Sequence, residues 1–349
     1  MPLRTGMEKT IHTKTGDTFS MIARQDGKVT KLTKDVLVVE YTDGTTEGFK
    51  IGRKFGKWGK YNIPHDLVAN VKAGQPFKEG ECLYYNSHYF TNDVTDGNNV
   101  SFKNYALARV AFIENFDTFE DSCALSKKWS ENLYTKIGHV RNVRITTDKT
   151  LKNLVNVGDS LETDSLLCTI HSVQLGASVF NDSSLKSLET IAALNPKSGV
   201  KGVVDEIRII YTAELDEMSE EVREIVEDYD STLYRTNKTL GSKIKSGKVN
   251  PGFLVDGVGL ESNEVVIQFY ITELADMTVA DKIVVGNQLK ATVSRYWNDP
   301  VTTEDGQEVD LLFSAQSVDN RIVLDADLIG TTNSLLVALS DLVVKAYEK

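Results

Sequence analysis

Residues Lys34–Thr42 read KDVLVVEYT and run directly into Asp43-Gly44. β-Branched and aromatic side chains favour a pleated, half-buried surface, and Asp-Gly supplies the positive φ angles of a two-residue hairpin turn. The stretch therefore predicts a strand entering a hairpin. The same pattern recurs at Val203–Tyr211, Glu264–Ile271 and Val309–Phe313. Helical periodicity is confined to Glu120–Leu133, Glu217–Val226 and Ser334–Tyr347. A mainly β chain with minor α follows. Pro196–Lys201 and Gly241–Gly252 are rich in Gly, Ser, Pro and Lys and read as loops. One internal echo is visible, between Gly74–Leu83 (GQPFKEGECL) and Val157–Leu166 (VGDSLETDSL). Each reads as a turn followed by an inward strand.

With 349 residues and 41% apolar content the chain is long enough for about two domains with a sizeable core. No apolar run reaches the roughly 18 residues of a membrane span, and Met1-Pro2-Leu3-Arg4 opens no signal-peptide pattern. Cys82, Cys123 and Cys168 lack C-x-x-C spacing and read as buried thiols, and the five histidines are scattered. A net charge of −11 argues against a free-standing nucleic-acid binder. Charge is nevertheless segregated along the chain. Lys50, Arg53, Lys54, Lys57 and Lys60 alternate with Phe49, Phe55, Trp58 and Tyr61, whereas Glu214–Asp230 is strongly acidic. The basic-aromatic stretch suits either a nucleic-acid backbone or an assembly surface, and the acidic one a solvated helix or a partner contact.

Three separated segments resemble, in order, the second-largest (β-type) subunit of multisubunit RNA polymerases. Pro2-Leu3-Arg4-Thr5-Gly6-Met7-Glu8 is similar to that family's PLxGTGME. Ala108-Arg109-Val110-Ala111-Phe112-Ile113 leading into Phe119-Glu120-Asp121-Ser122 resembles VAFMPWxGYNFEDS, with the aromatic segment replaced by Glu114-Asn115-Phe116-Asp117-Thr118. Ala280-Asp281-Lys282 through Gly286 to Lys290 and Ser294 follows the spacing of GDKxAGRHGNKGVIS, and Asp305–Leu311 with Asn320-Arg321 is similar to NGTPVDIVLNPLGVPSR. The family's leading glycine is Ala280 here, and its Gly-Arg-His-Gly is Val284-Val285-Gly286-Asn287.

The resemblance implies a double-psi β-barrel core built from residues 1–150 and 265–349, with a small sandwich-barrel-like flap domain over 151–264. It implies that Lys282, Lys290, Arg321 and Lys9 hold the RNA 3′ end and the incoming nucleotide. Glu120 and Asp121 would lie near a nucleotide-carried Mg²⁺, usually through water; as an isolated dipeptide, Glu-Asp opening a helix is more often a favourable partner of the helix dipole. Phosphoryl transfer needs positioning and charge stabilisation rather than a side-chain nucleophile. The family's Asp-x-Asp-x-Asp triad, which holds the main Mg²⁺, belongs to the other large subunit and is not in this sequence. The implied activity is nucleotidyl transfer only within an assembly. The implied partners are a β′-type subunit carrying the triad, further β fragments, template DNA, nascent RNA and a promoter-specificity factor, with no membrane. The pattern fits a split subunit of a large bacteriophage, acting in the host cytoplasm, in a nucleus-like phage compartment or from the virion; an excised fragment is the alternative. The rival reading is a non-catalytic scaffold or regulatory relative that kept the fold. No acid/base constellation suggests an autonomous hydrolase.

Overall fold

The computed structural model describes residues 3–59, 61–93, 95–103, 105–172, 195–240, 244 and 246–348. The chain is mainly β, with 40% strand and 21% helix, arranged in several sheets, none of which closes among the described residues. It divides into two compact units. One comprises Met1–Ile11, Phe102–Thr135 and Ala275–Lys349, and the other His12–Ser101 and Lys136–Leu274.

The larger unit is built from the strands anticipated at the hairpin and beyond. Val36–Tyr41 pairs antiparallel with Thr46–Lys50 across the Asp43-Gly44 turn, where Gly44 adopts φ 81°. These two join Gly27–Leu32 and Pro76–Phe77 in a four-stranded sheet. Gly202–Tyr211 and Glu264–Asp276 pair within a nine-stranded sheet. Their inward residues, with Val222 and Val226 of the helix Glu220–Leu240, form the largest apolar cluster. That helix starts three residues later and runs fourteen residues further than the Glu217–Val226 expectation, because residues 227–240 are too polar to show apolar periodicity. Lys60 and residues 241–243 and 245 of the expected loop lie outside the described residues, as do residues 173–194 of the expected flap.

The internal echo is structural. In Lys72–Gln75 and Asn156–Asp159 the fourth residue's side chain accepts from the first residue's N–H, its own N–H returns to the first residue's carbonyl, and the third residue is a glycine at positive φ. Thr278–Asp281 repeats the same turn: Asp281 Oδ2 accepts from Thr278 N at 2.8 Å and Asp281 N donates to Thr278 O at 3.1 Å. Here the third residue is Ala280, at φ 76°.

The smaller unit holds a five-stranded sheet. We label its strands β1 (Val110–Phe112), β2 (Ser122–Ser126), β3 (Lys282–Val285), β4 (Leu289–Trp297) and β5 (Leu311–Phe313), followed by helices α1 (Ala315–Arg321) and α2 (Leu324–Tyr347). The order across the sheet is β1-β5-β2-β4-β3. At its centre β2 and β5 are antiparallel, and each is flanked by a parallel neighbour, β4 beside β2 and β1 beside β5. The β2 strand corrects the helix expected over Glu120–Leu133. Cys123, Ala124 and Leu125 are all fully buried because a central strand is covered on both faces, and a short continuous apolar run of that kind carries no period to separate strand from helix. Only Lys127–Ser130 is helical in that stretch.

The α2 helix begins ten residues before the expected Ser334. By length and composition it is long and apolar enough to cross a bilayer, which corrects the expectation that no segment reaches that length. Thr331, Thr332, Asn333 and Ser334 break the apolar run in sequence without breaking the helix. All three cysteines are buried and free, as expected, and burial pushes the Cys82 and Cys168 thiols up to about 12 and Cys123 up to about 11.

Candidate functional site

β3 and β4 form an antiparallel hairpin closed by Gly286-Asn287-Gln288, with Gly286 at φ 58°. Register pairs Lys282 with Thr292 and Val284 with Lys290. Residues paired across two strands share a face, and alternate residues on one strand return to it. Lys282, Val284, Lys290 and Thr292 therefore stand on one face of the hairpin, and the first three are exposed. The two lysines are diagonal neighbours, with backbones roughly 7–8 Å apart, so their long stems can bring both ammonium groups to one anion. Among the described residues neither forms an ion pair. The opposite face carries Leu289, Ala291 and Val293, all buried in the cluster that includes Cys123, Leu125, Leu311 and Phe313. Apolar packing on one side thus fixes the side to which the lysines point.

The Glu120-Asp121 turn is joined to this hairpin through the parallel β2–β4 pairing, in which Ser122 lies opposite Thr292. Thr292 N donates to Asp121 O at 2.7 Å. Glu120 adopts a left-handed φ of 51°, uncommon for a residue with a side chain. Its carbonyl accepts from Ser317 Oγ of α1, and the Asp121 carboxylate pairs with the guanidinium of Arg321, the last residue of α1. Ile322 ends α1 at φ 52°. Lys282, Lys290, Glu120, Asp121 and Arg321, drawn from segments as much as 201 positions apart, are therefore assembled by one sheet and the helix that follows it.

Lys9 lies outside the strand pairing and the Asp121–Arg321 contact that unite the other five. It is the exposed end of the short helix Met7–Lys9, behind Gly6 at φ 92°. The adjacent Glu8 is buried and accepts from Thr5 N and Gly6 N, and Leu3 N donates to Asn333 Oδ1 of α2 at 2.7 Å. The Thr5-Gly6-Met7-Glu8 run thus forms a turn closed on the Glu8 carboxylate.

The basic-aromatic stretch, in the other unit, is largely neutralised. Lys50 Nζ lies 3.4 Å from Glu206, Arg53 contacts Asp66 at 2.6 Å and Asp205 at 3.2 Å, and Lys54 lies 3.3 Å from Asp17. Asp66 also receives Lys136, and Glu206 also pairs with Arg208 at 2.9 Å. Burial pushes the Glu206 carboxyl up, but the hydrogen bond and charge of Arg208, with Lys50, outweigh it and hold the group below its ordinary range. Asp205 is raised instead, because burial there exceeds the help it receives from Thr272 and Arg53. Lys57 is exposed, and Lys60 and the side chains of Trp58 and Tyr61 lie outside the described residues.

Several residues that the sequence did not single out shape the site. Glu114 Oε1 accepts from Ser314 Oγ at 2.7 Å and Gln316 N at 2.8 Å, which anchors the first turn of α1. Those bonds, Gln316 first, hold its carboxyl below the usual range. Asp117 pairs with Arg295 of β4 at 2.7 Å, and Ser294 Oγ lies 2.8 Å from both Asp117 O and Cys123 O. These acids meet partners 178 to 202 positions away, and no local pattern announces them. Among the described residues no three His, Cys, Asp or Glu side chains gather as a metal site.

No family model matches the chain, and no curated protein matches it.

Proposed function

We propose that this chain is part of the β-type subunit of a multisubunit RNA polymerase, a split subunit of a large bacteriophage, in which Lys282, Lys290 and Arg321 hold the RNA 3′ end and the incoming nucleotide. The observation that carries this reading is the pair of unpaired lysines on one exposed hairpin face, in the same sheet as the Asp121 turn that receives Arg321. One ammonium about 4 Å from a phosphate contributes roughly 4 kcal/mol of attraction at an effective dielectric of 20, before desolvation is deducted. Arg321, with a planar fork of donors, suits the triphosphate. Lys9 adds charge without that fork.

Mg²⁺ would be held by the nucleotide and by the aspartate triad of the partner subunit, supplying charge neutralisation to the transferring phosphoryl group. Glu120, an exposed carboxylate, fits water-mediated contact with such an ion and not a full ligand set. A double-psi barrel belongs to the same proposal. Its support is the arrangement of two parallel pairs about a central antiparallel one, with long excursions of chain between partners.

Purification of the natural complex tests the reading. A co-purifying chain with the aspartate triad and template-directed RNA synthesis are the expected results. A complex that contains the triad chain but makes RNA equally well without this chain would favour the scaffold reading, and the absence of any triad-bearing partner would overturn the polymerase reading.

A further inference from the structure

The family resemblance treats Glu120 and Asp121 as one acidic pair, but the structure separates them. The Asp121 carboxylate is occupied by the Arg321 guanidinium, and its carbonyl by Thr292 N. The Glu120 carbonyl is held by Ser317 Oγ, while its carboxylate is exposed and has no partner among the described residues. Two links therefore tie the same turn to α1, one at Ser317 in its middle and one at Arg321 at its end. Beyond Arg321 the chain reverses at Ile322 and enters α2, where Ala326 lies against the turn of the lysine hairpin: a Cβ built on Gly286 would stand 3.5 Å from it. The segment that carries Arg321 is thus braced on both sides, and the guanidinium itself depends on one carboxylate.

We propose that Asp121 is the positioning residue for Arg321, holding its guanidinium ready for a nucleotide phosphate, while Glu120, the one of the two acids whose carboxylate has no partner among the described residues, is left for the water shell of a metal-bearing nucleotide. An arginine has several rotatable bonds, and ordering it before binding removes an entropic cost from the binding step. The side chains of Arg321 and Asp121 are 38% and 62% exposed, so the pair is weak enough to exchange for a phosphate of higher charge. The inference rests on the polymerase reading proposed above.

The test uses the assembled enzyme with a nucleoside triphosphate, Mg²⁺ and a primed template, comparing R321A, D121N, the double variant and E120Q. The expected result is that R321A raises the nucleotide KM, and that D121N raises it about two- to fivefold, the range an exposed ion pair supports, with kcat nearly unchanged. D121N should add nothing in the R321A background, since its effect passes through that arginine. E120Q should raise the Mg²⁺ concentration needed for half-maximal rate, and should do so to the same extent in the R321A background, since its effect does not pass through that arginine. Additive effects of D121N and R321A, or a D121N effect confined to kcat or to Mg²⁺ dependence, would overturn the positioning role and leave the polymerase reading standing. Unchanged nucleotide KM in R321A would overturn the polymerase reading of that arginine, and the positioning role with it.

Discussion

In the unit formed by residues 12–101 and 136–274, Lys50, Arg53 and Lys54 each face a carboxylate, whereas in the five-stranded sheet Lys282 and Lys290 face none among the described residues. The first group is the denser in sequence, with five basic residues in eleven positions, and is the obvious candidate for binding phosphates. The second consists of two lysines eight positions apart. Folding reverses their promise. Asp66 lies thirteen positions beyond Arg53 and directly opposite it on the partner strand, and Asp205 and Glu206 come from more than 150 positions away, so the cations of the basic stretch are largely spent on ion pairs within the unit. A cation already paired must give up that partner before it can serve a phosphate, while an exposed unpaired one gives up only water. Density of positive charge along a chain is therefore a weaker guide than the company each cation keeps after folding.

The contrast predicts opposite phenotypes. The largest effect is expected from K282A or K290A in the assembled enzyme: a loss of roughly 10²–10³ in elongation rate, the scale of removing one preorganised charge-stabilising group, with the melting temperature unchanged. Normal elongation in both variants would break the comparison on the catalytic side. R53A should do the reverse, destabilising the larger unit by about 2–3 kcal/mol in denaturant titration. The estimate lies below the range for a fully buried pair because Arg53 and Asp66 retain about a quarter of their side-chain exposure. If R53A left stability intact and weakened template binding, the stretch would be a nucleic-acid surface after all.

Replacing Ala280 by glycine should stabilise the smaller unit by up to about 1 kcal/mol, because φ 76° is strained for any residue with a Cβ. The gain should come without loss of elongation if the turn only starts the strand carrying Lys282. The smallest effect concerns acid. The Glu206 carboxyl is held below its ordinary value of 4.5, so its contribution is complete above that value and is lost as pH falls below it. E206Q should flatten that part of the pH–stability curve, measured by thermal unfolding, and no variant of the hairpin lysines should do so.

Strand identity was legible wherever side-chain chemistry and turn chemistry agreed. KDVLVVEYT followed by Asp-Gly became a strand and hairpin, and Val203–Tyr211 and Glu264–Ile271 became the core pair of the large sheet. The echo at Gly74 and Gly158 was legible as a turn, but its third copy at Thr278–Asp281 was not, because alanine occupies the position where the other two show glycine. Ser122–Ser126 was misread as helix because burial on both faces removes the alternation that marks a strand. Within the candidate site, the lysine spacing was visible, but their common face is set by the register with Val284 and Thr292. The Arg321–Asp121 pair spans 200 positions and the Asp117–Arg295 pair 178; neither can be read from neighbours in sequence.

The two parallel strand pairs also govern how the molecule is made. During synthesis β1 and β2 emerge before the other strands of their sheet, and their parallel partners β5 and β4 begin 201 and 167 positions later. A nascent chain must carry these short apolar strands, including Val110, Cys123 and Leu125, unpaired while the whole of residues 136–274 is translated and collapses. Pairing across such separations closes large loops and is slow, and exposed strand edges invite association with other chains. The lysine hairpin can form by itself at once, but the sheet that orients it is completed only when Leu311–Phe313 arrives. Production of this chain should therefore suffer most from interruptions between residues 126 and 311, and slowing translation there should increase aggregation more than slowing it before β1.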